Sequence, residues 1–297
     1  MRQRLALVVL LHLLPLVGCA DIPAGQPSES ESVASDAASE LPAVASALPA
    51  GAAEAMSRLS SSPRHGEWVT VETGPGDSVR AWVVYPERSD PAPVVLVVHE
   101  IFGLSHWVRA VADEFAAEGF IAIAPDLLTM RAIPAGTDGA PDPEVARSEI
   151  QTLDRGAIHR QLRAVAEYGM SLPAAVRSYG IAGFCWGGTV SFEHAIHSPE
   201  LGAAVVYYGT SPNADSMGEI RAPVLGLYGE DDARVNVTVP PAATAMQALG
   251  KRFEHETYRG AGHGFLRAQD GQAGANLRAS QEAWARTLEW LRSNLGD

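Results

Sequence analysis

Cys185 stands at the centre of Gly183-Phe184-Cys185-Trp186-Gly187, after the apolar run 179–182 and before a helical pattern that opens with Gly187-Gly188. Glycines at this spacing let a strand turn sharply into a helix, so that the central side chain stands clear at the tip. A thiol there gains from the free N–H groups and dipole of the helix start, which favour its thiolate. The chemistry is nucleophilic attack on a carbonyl, given a base and an orienting acid nearby. Three further sets of reactive groups follow apolar runs. Glu100 follows residues 94–99, the pair Asp231-Asp232 follows 223–229, and His263 follows 253–259 within Gly262-His263-Gly264. Nucleophile, acid, histidine is one of the chain orders in which a catalytic triad is built. Either of the two adjacent aspartates could be its acid.

The elements that must position these groups alternate. Residues 68–72 and 79–85, joined by Gly74-Pro75-Gly76-Asp77, predict an antiparallel hairpin. Residues 94–98 are a continuous β-branched and aliphatic run, suited to a strand buried on both faces. Trp107, Val108, Val111 and Phe115 give 105–118 helical spacing, with Gly119 as its stop. A strand over 120–124 ends at Pro125, a polar loop runs through Ala140, and 144–171 is mostly helix. Strands at 202–208, 223–228 and 253–258 then alternate with helices at 240–249 and 275–294. This predicts an α/β fold, with a mostly parallel central sheet and helices on both faces. In such sheets the chemistry collects at the carboxyl ends of the strands.

The 297 residues divide unevenly. Arg2 and Arg4 precede an apolar stretch over 5–17, interrupted by His12 and Pro15, and then Leu16-Val17-Gly18-Cys19. This resembles a bacterial lipoprotein signal over 1–18 with Cys19 as the lipidated residue. The stretch is too short for a membrane-spanning helix, which needs about 20 apolar residues. Residues 19–63 lack Phe, Tyr and Trp, are rich in Ala, Ser and Pro, and carry Asp21, Glu29, Glu31, Asp36, Glu40 and Glu54 against Arg58. Such a composition predicts a flexible tether, leaving 64–297 as one domain. The expected location is the cell envelope, facing the periplasm or exterior, with Cys19 as the membrane anchor. Two cysteines exclude a disulfide framework. A net charge of −13 argues against nucleic acid as a partner. No phosphate loop or metal pattern appears; His194-Ala195-Ile196-His197 lacks an acidic partner at useful spacing. The expectation is a monomer without metal or cofactor.

The combination His99-Glu100-Ile101-Phe102-Gly103, Pro125-Asp126-Leu127, Gly183-Phe184-Cys185-Trp186-Gly187-Gly188, Tyr207-Tyr208-Gly209, Gly229-Glu230-Asp231-Asp232 and Gly262-His263-Gly264-Phe265 resembles the dienelactone hydrolase family, a cysteine branch of the α/β-hydrolases. The motifs span nearly the whole domain. The resemblance implies an α/β-hydrolase fold and hydrolysis of small esters or lactones. It implies Cys185 as nucleophile, His263 as proton carrier and, from the spacing Gly229-x-x-Asp232-x-x-Val235, Asp232 as the orienting acid. The matching glutamate, Glu100, would pair with the resting thiol and take its proton when substrate binds. Backbone N–H groups of Ile101 and Trp186 would form the oxyanion hole. Arg267, four residues after His263, matches an arginine that holds a substrate carboxylate. By order along the chain Arg147, or else Arg131, would be the second. Gly264 replaces a serine present in some relatives. A carboxylesterase or thioesterase without lactone preference is the alternative, and a non-catalytic binding lipoprotein is the reading from another class.

Overall fold

Short runs of aliphatic residues punctuated by glycine, proline and aspartate form a single eight-stranded sheet in the computed structural model, which describes residues 48–136 and 138–296. The strands are β1 (Gly66–Gly74), β2 (Asp77–Val84), β3 (Ala92–Val98), β4 (Ile121–Asp126), β5 (Ala175–Phe184), β6 (Ala203–Tyr207), β7 (Val224–Gly229) and β8 (Phe253–Tyr258). Their order is β1-β2-β4-β3-β5-β6-β7-β8. The β1–β2 hairpin and the β2–β4 pair are antiparallel, and all other neighbours are parallel. From β3 the chain crosses to β4 on one side and then returns to β5 on the other. The gap between the ends of β3 and β5 is therefore the switch point of the sheet, where a crevice opens.

Period-two alternation assigns each strand residue to one face. Val95, Val97, Ala182, Phe184, Val205 and Leu225 pack with helices α2 (His106–Ala117) and α8 (Ala275–Leu295). Val94, Leu96, Val98, Ile181, Ala204 and Val206 pack with α4 (Arg155–Ser171), α5 (Trp186–His197) and α7 (Val239–Ala248). Both faces are thus apolar, which is why the parallel strands read as unbroken aliphatic runs. The remaining helices are α1 (Ala55–Ser61), α3 (Pro143–Ile150) and the short α6 (Ala233–Asn236). The expected continuous helix over 144–171 is two helices. Asp154 caps α4 by accepting from the Ala157 N–H at 2.7 Å, and that non-helical cap ends α3 upstream.

The expected tether over 19–63 needs correction at its carboxyl end. Residues 1–18 and 19–47, with Cys19, lie outside the described residues. Residues 48–63 are folded onto the domain. The indole of Trp107 donates to the Ala50 carbonyl at 3.1 Å, Gln269 Nε2 donates to Pro49 at 2.7 Å, and the Ala52 N–H donates to the Arg267 carbonyl at 2.9 Å. Helix α1 buries Ala55 against α2, where Arg58 lies 3.4 Å from Glu114 and the Ser62 hydroxyl donates to Asp113 at 2.6 Å. Asp113 also takes a two-point pair from Arg64. The segment has little apolar surface of its own, but α2 presents two buried acids and an indole N–H that need partners. Among the described residues, no helix is long and apolar enough to cross a membrane.

Candidate active site

Cys185 follows the last residue of β5 with φ 56° and ψ −114°, a backbone conformation costly for a residue with a side chain. The surrounding structure enforces it. The Cys185 N–H donates to the Tyr207 carbonyl at 3.0 Å, and its carbonyl accepts the first helical bond of α5 from Thr189 at 3.2 Å. A Cβ at Gly183 would overlap the Gly187 carbonyl, and one at Gly187 would overlap the carbonyls of Val98 and His99. The glycines let α5 close down on the ends of β3 and β5.

His263 sits beside the thiol. Its Nδ1 lies 2.5 Å from Asp232 Oδ2, which leaves Nε2 as the ring nitrogen for the hydrogen bond with Cys185. Burial alone would lower the imidazole pKa. The hydrogen bonds to Asp232 and Cys185 and their negative charge outweigh it and raise the pKa to about 9. Asp232 is held in a tight turn: its N–H donates to Gly229, and its carbonyl accepts from Val235 and Asn236. The neighbouring Asp231 is exposed and has its backbone N–H on Ala261. Of the two aspartates, only Asp232 meets the histidine.

Glu100 is buried behind these groups. Its Oε2 lies 3.1 Å from Arg267 Nε. Burial pushes the carboxyl pKa up to about 7, with Arg267 and then His263 opposing the rise. His99 shapes the same loop. Its Nδ1 is 2.7 Å from the Glu100 carbonyl and its Nε2 accepts from the Leu127 N–H at 3.3 Å, so Nδ1 carries the proton. The ring stacks on Trp186 at 5.5 Å. This bracing aims the turn that carries Ile101. The N–H groups of Ile101 and of Trp186, the first residue of α5, make no hydrogen bond among the described residues. Two such free donors at the switch point can receive an oxyanion.

These groups open onto a cavity of about 380 Å³ lined by Ile101, Gln151, Arg155, Cys185, Trp186, Thr189, Tyr208, Thr210, Arg234 and His263. A thiol, an imidazole with a raised pKa and two free N–H groups around one small cavity suit acyl transfer.

The model of the dienelactone hydrolase family matches residues 79–295. The chain belongs to the dienelactone hydrolase family. A protein of Escherichia coli K12 named "Putative carboxymethylenebutenolidase" is 33% identical over 229 residues, covering 73% of this chain and 83% of its own length. A Bradyrhizobium protein named "Probable 2-oxo-3-(5-oxofuran-2-ylidene)propanoate lactonase" is 30% identical over 244 residues, covering 77% and 94%. The crystal structure of a Klebsiella pneumoniae protein named "Putative Dienelactone Hydrolase", 29% identical, superposes with a TM-score of 0.67 over 76% of this chain and 98% of that one. The family and its α/β-hydrolase fold make the protein a carboxylic ester hydrolase.

The expected residues divide into two groups. Cys185, His263, Asp232, Ile101 and Trp186 lie together. The two expected substrate arginines do not line the cavity. Arg267 is engaged with Glu100, and Arg147 pairs with Glu144 at 3.8 Å. Both guanidinium groups pack on the ring of Phe102, at 5.0 and 5.5 Å. Arg131 lies 3.7 Å from Glu149. The arginines of the cavity are Arg155 and Arg234. The expected pairing of Glu100 with the resting thiol also differs: the thiol faces His263 and the carboxylate faces Arg267.

Tyr208 was visible in Tyr207-Tyr208-Gly209 without an assigned role. It lies at the carboxyl end of β6 with φ 40°, its ring 5.2 Å from His263, and its buried hydroxyl has no hydrogen-bond partner. Burial, with the charges of Glu100 and Cys185, holds it far from ionising. A tyrosine directly after an apolar strand is the signal that could have found it. The motif His194-x-x-His197 is not a chelate, since His194 Nε2 is taken by the hydroxyls of Tyr179 and Ser198. No group of three or more His, Cys, Asp or Glu among the described residues is arranged to hold a metal.

Proposed function

We propose that the protein hydrolyses small esters or lactones through a Cys185–His263–Asp232 triad and an acyl-thioester intermediate. The observation that carries this reading is the continuous contact from Asp232 through His263 to a cysteine held at a strained elbow. His263 takes the Cys185 proton, and its raised pKa favours the resulting imidazolium. The thiolate attacks the carbonyl carbon, and the N–H groups of Ile101 and Trp186 receive the negative oxygen. Collapse expels the alkoxide, which takes the His263 proton; in a lactone this new hydroxyl stays attached to the acyl group. Neutral His263 then takes a proton from water, the hydroxide attacks the thioester, and the thiolate leaves while the acid is released. Glu100, with a pKa near 7, is a second acceptor for the thiol proton when His263 is already charged. The lactone preference rests on the names of the Escherichia coli and Bradyrhizobium relatives.

Turnover of short acyl esters and of carboxylated lactones tests this. Cys185→Ala should lower both by orders of magnitude with the fold intact, and alkylation of the wild-type thiol should do the same. Wild-type turnover in folded Cys185→Ala would remove the cysteine mechanism. We also propose that Cys19 is lipidated and anchors the protein to a bacterial envelope membrane, on the strength of Leu16-Val17-Gly18-Cys19 after a short apolar segment. Mass spectrometry of the membrane fraction should find a chain that begins at a modified Cys19. An unmodified Cys19, or an intact Met1, would refute the anchor.

A further inference from the structure

A second cavity of about 380 Å³ adjoins the catalytic one, between α4, α5 and the loop after β6. The two share Arg155, Thr189 and Thr210. Between them stands a hydroxyl pair, with Thr189 Oγ1 2.9 Å from Thr210 Oγ1. The walls of the second cavity mix the apolar surface of Ile196 and Pro212 with charged and hydroxyl groups. Arg155 Nη1 lies 3.3 Å from Glu193 Oε2, so the two fixed charges cancel. That Glu193 oxygen is buried and makes no hydrogen bond. His159, 4% exposed, also lines the cavity, and its Nδ1 has no hydrogen-bond partner. Asn213 and Ser216 add amide and hydroxyl groups at the rim.

Such walls suit a chain that carries both C–H and hydroxyl groups better than a bare hydrocarbon or an ion. An apolar chain would leave His159 Nδ1 buried without a partner, whereas Glu193 keeps Arg155 and, at 3.8 Å, His159 Nε2. An anion would meet Glu193, and a cation would meet Arg155. A row of hydroxyls matches them, because each hydroxyl accepts from Arg155 and donates to Glu193 or the imidazole. The position fits the acyl side of the substrate. The leaving oxygen must reach His263, and His263 lines the catalytic cavity but not this one.

We propose that this cavity is a subsite for a hydroxylated acyl chain, so that the preferred substrates are esters or lactones of polyhydroxy acids. The proposal rests on the cysteine-hydrolase reading above. Methyl gluconate and methyl hexanoate have the same number of carbons and the same leaving group. Wild-type kcat/KM should favour the gluconate ester by about tenfold or more, the worth of one well-made hydrogen bond. Ser216→Trp, on the exposed rim, should fill the cavity and bring the two esters to near equality while turnover of p-nitrophenyl acetate stays unchanged. Glu193→Leu should do the same, and its thermal midpoint shows whether it folds. Equal or reversed wild-type preference overturns the subsite. So does failure of both methyl esters while Cys185-dependent turnover of p-nitrophenyl acetate persists. Loss of p-nitrophenyl acetate turnover in the wild type would overturn the hydrolase reading itself.

Discussion

Arg267→Met isolates what the arginine does. In the structure Arg267 is the counter-ion of a buried glutamate, whereas its position four residues after His263 marks it as a substrate-carboxylate ligand. Methionine keeps apolar contact with Phe102 and removes the charge 3.1 Å from Glu100. The Glu100 pKa of about 7 already includes the opposing pull of Arg267. An opposite charge at such range lowers a carboxyl pKa by about 1–3. Arg267 is 38% exposed, so solvent screening argues for the lower end. Losing it should raise Glu100 by about 1, equivalent to about 1.4 kcal/mol. At pH 7 the ionised fraction of Glu100 then falls from about half to about a tenth. If Glu100 carboxylate takes up the thiol proton, kcat/KM at pH 7 falls about fivefold and recovers by about pH 9.

The assay is the pH profile of kcat/KM for a neutral ester and a carboxylated lactone. In the wild type the rising limb should fall near 7, from Glu100, and the falling limb near 9, as His263 loses its proton. Arg267→Met should move the rising limb upward by about the same amount for both substrates. Glu100→Gln should abolish that limb. A loss confined to the carboxylated lactone, with the limb unmoved, would refute the counter-ion argument and return Arg267 to the substrate. An unmoved limb with unchanged rates for both would show that Glu100 ionisation does not limit turnover.

Asp232→Asn should cost about 10⁴-fold in kcat, because an amide at that position favours the wrong imidazole tautomer, whereas Asp231→Asn should stay within about twofold of wild type, its exposed side chain being away from the ring; equal losses in ester turnover would show that the pairing at 2.5 Å is not the functional one. Deleting residues 1–47 should leave the thermal midpoint of the domain unchanged. Deleting 1–63 removes three hydrogen bonds to Trp107, Arg267 and Gln269 and the partners that Arg58 and Ser62 give to Glu114 and Asp113. At about 1 kcal/mol each for the hydrogen bonds, that is a loss of about 3 kcal/mol, or roughly 6–12 °C in the midpoint by calorimetry. Equal midpoints for the two truncations would refute the docking.

What could be read from the chain was what neighbouring residues decide together. The Cys185 elbow depends on glycines two residues to either side, so the pentapeptide contains its own explanation. Asp232 could be preferred over Asp231 because Gly229-x-x-Asp232-x-x-Val235 has the spacing of the family it resembles, and the fold turns that carboxylate onto His263. The cavity could not be read in this way. Its wall takes Gln151 from the α3–α4 connection, Arg155 from the start of α4, Thr189 from α5, Thr210 from the loop after β6 and Arg234 from α6. No spacing along the chain relates these residues. Residues 48–63 were illegible for a similar reason. Their composition cannot sustain a core, but the groups that hold them are the acids of α2, some fifty residues away.

Arg267 shows where a motif reading stops. A sequence shows a cation near the catalytic histidine, and a cation in a binding site suggests an anion in the substrate. The fold supplies an anion first, since Glu100 ends up buried against it at the switch point between β3 and β5. A carboxylate buried there is costly while ionised, and the arginine is what keeps its pKa near 7 instead of higher. A substrate carboxylate that reached Arg267 would compete with Glu100 for the guanidinium and leave Glu100 a stronger base, next to His263 and the thiol that must lose its proton. Substrate charge and nucleophile activation are thus linked through one guanidinium. The pH profiles of kcat, which report the substrate complex, measure that link directly: a rising limb that sits higher with the carboxylated lactone than with the neutral ester is its signature, and coincident limbs would remove it.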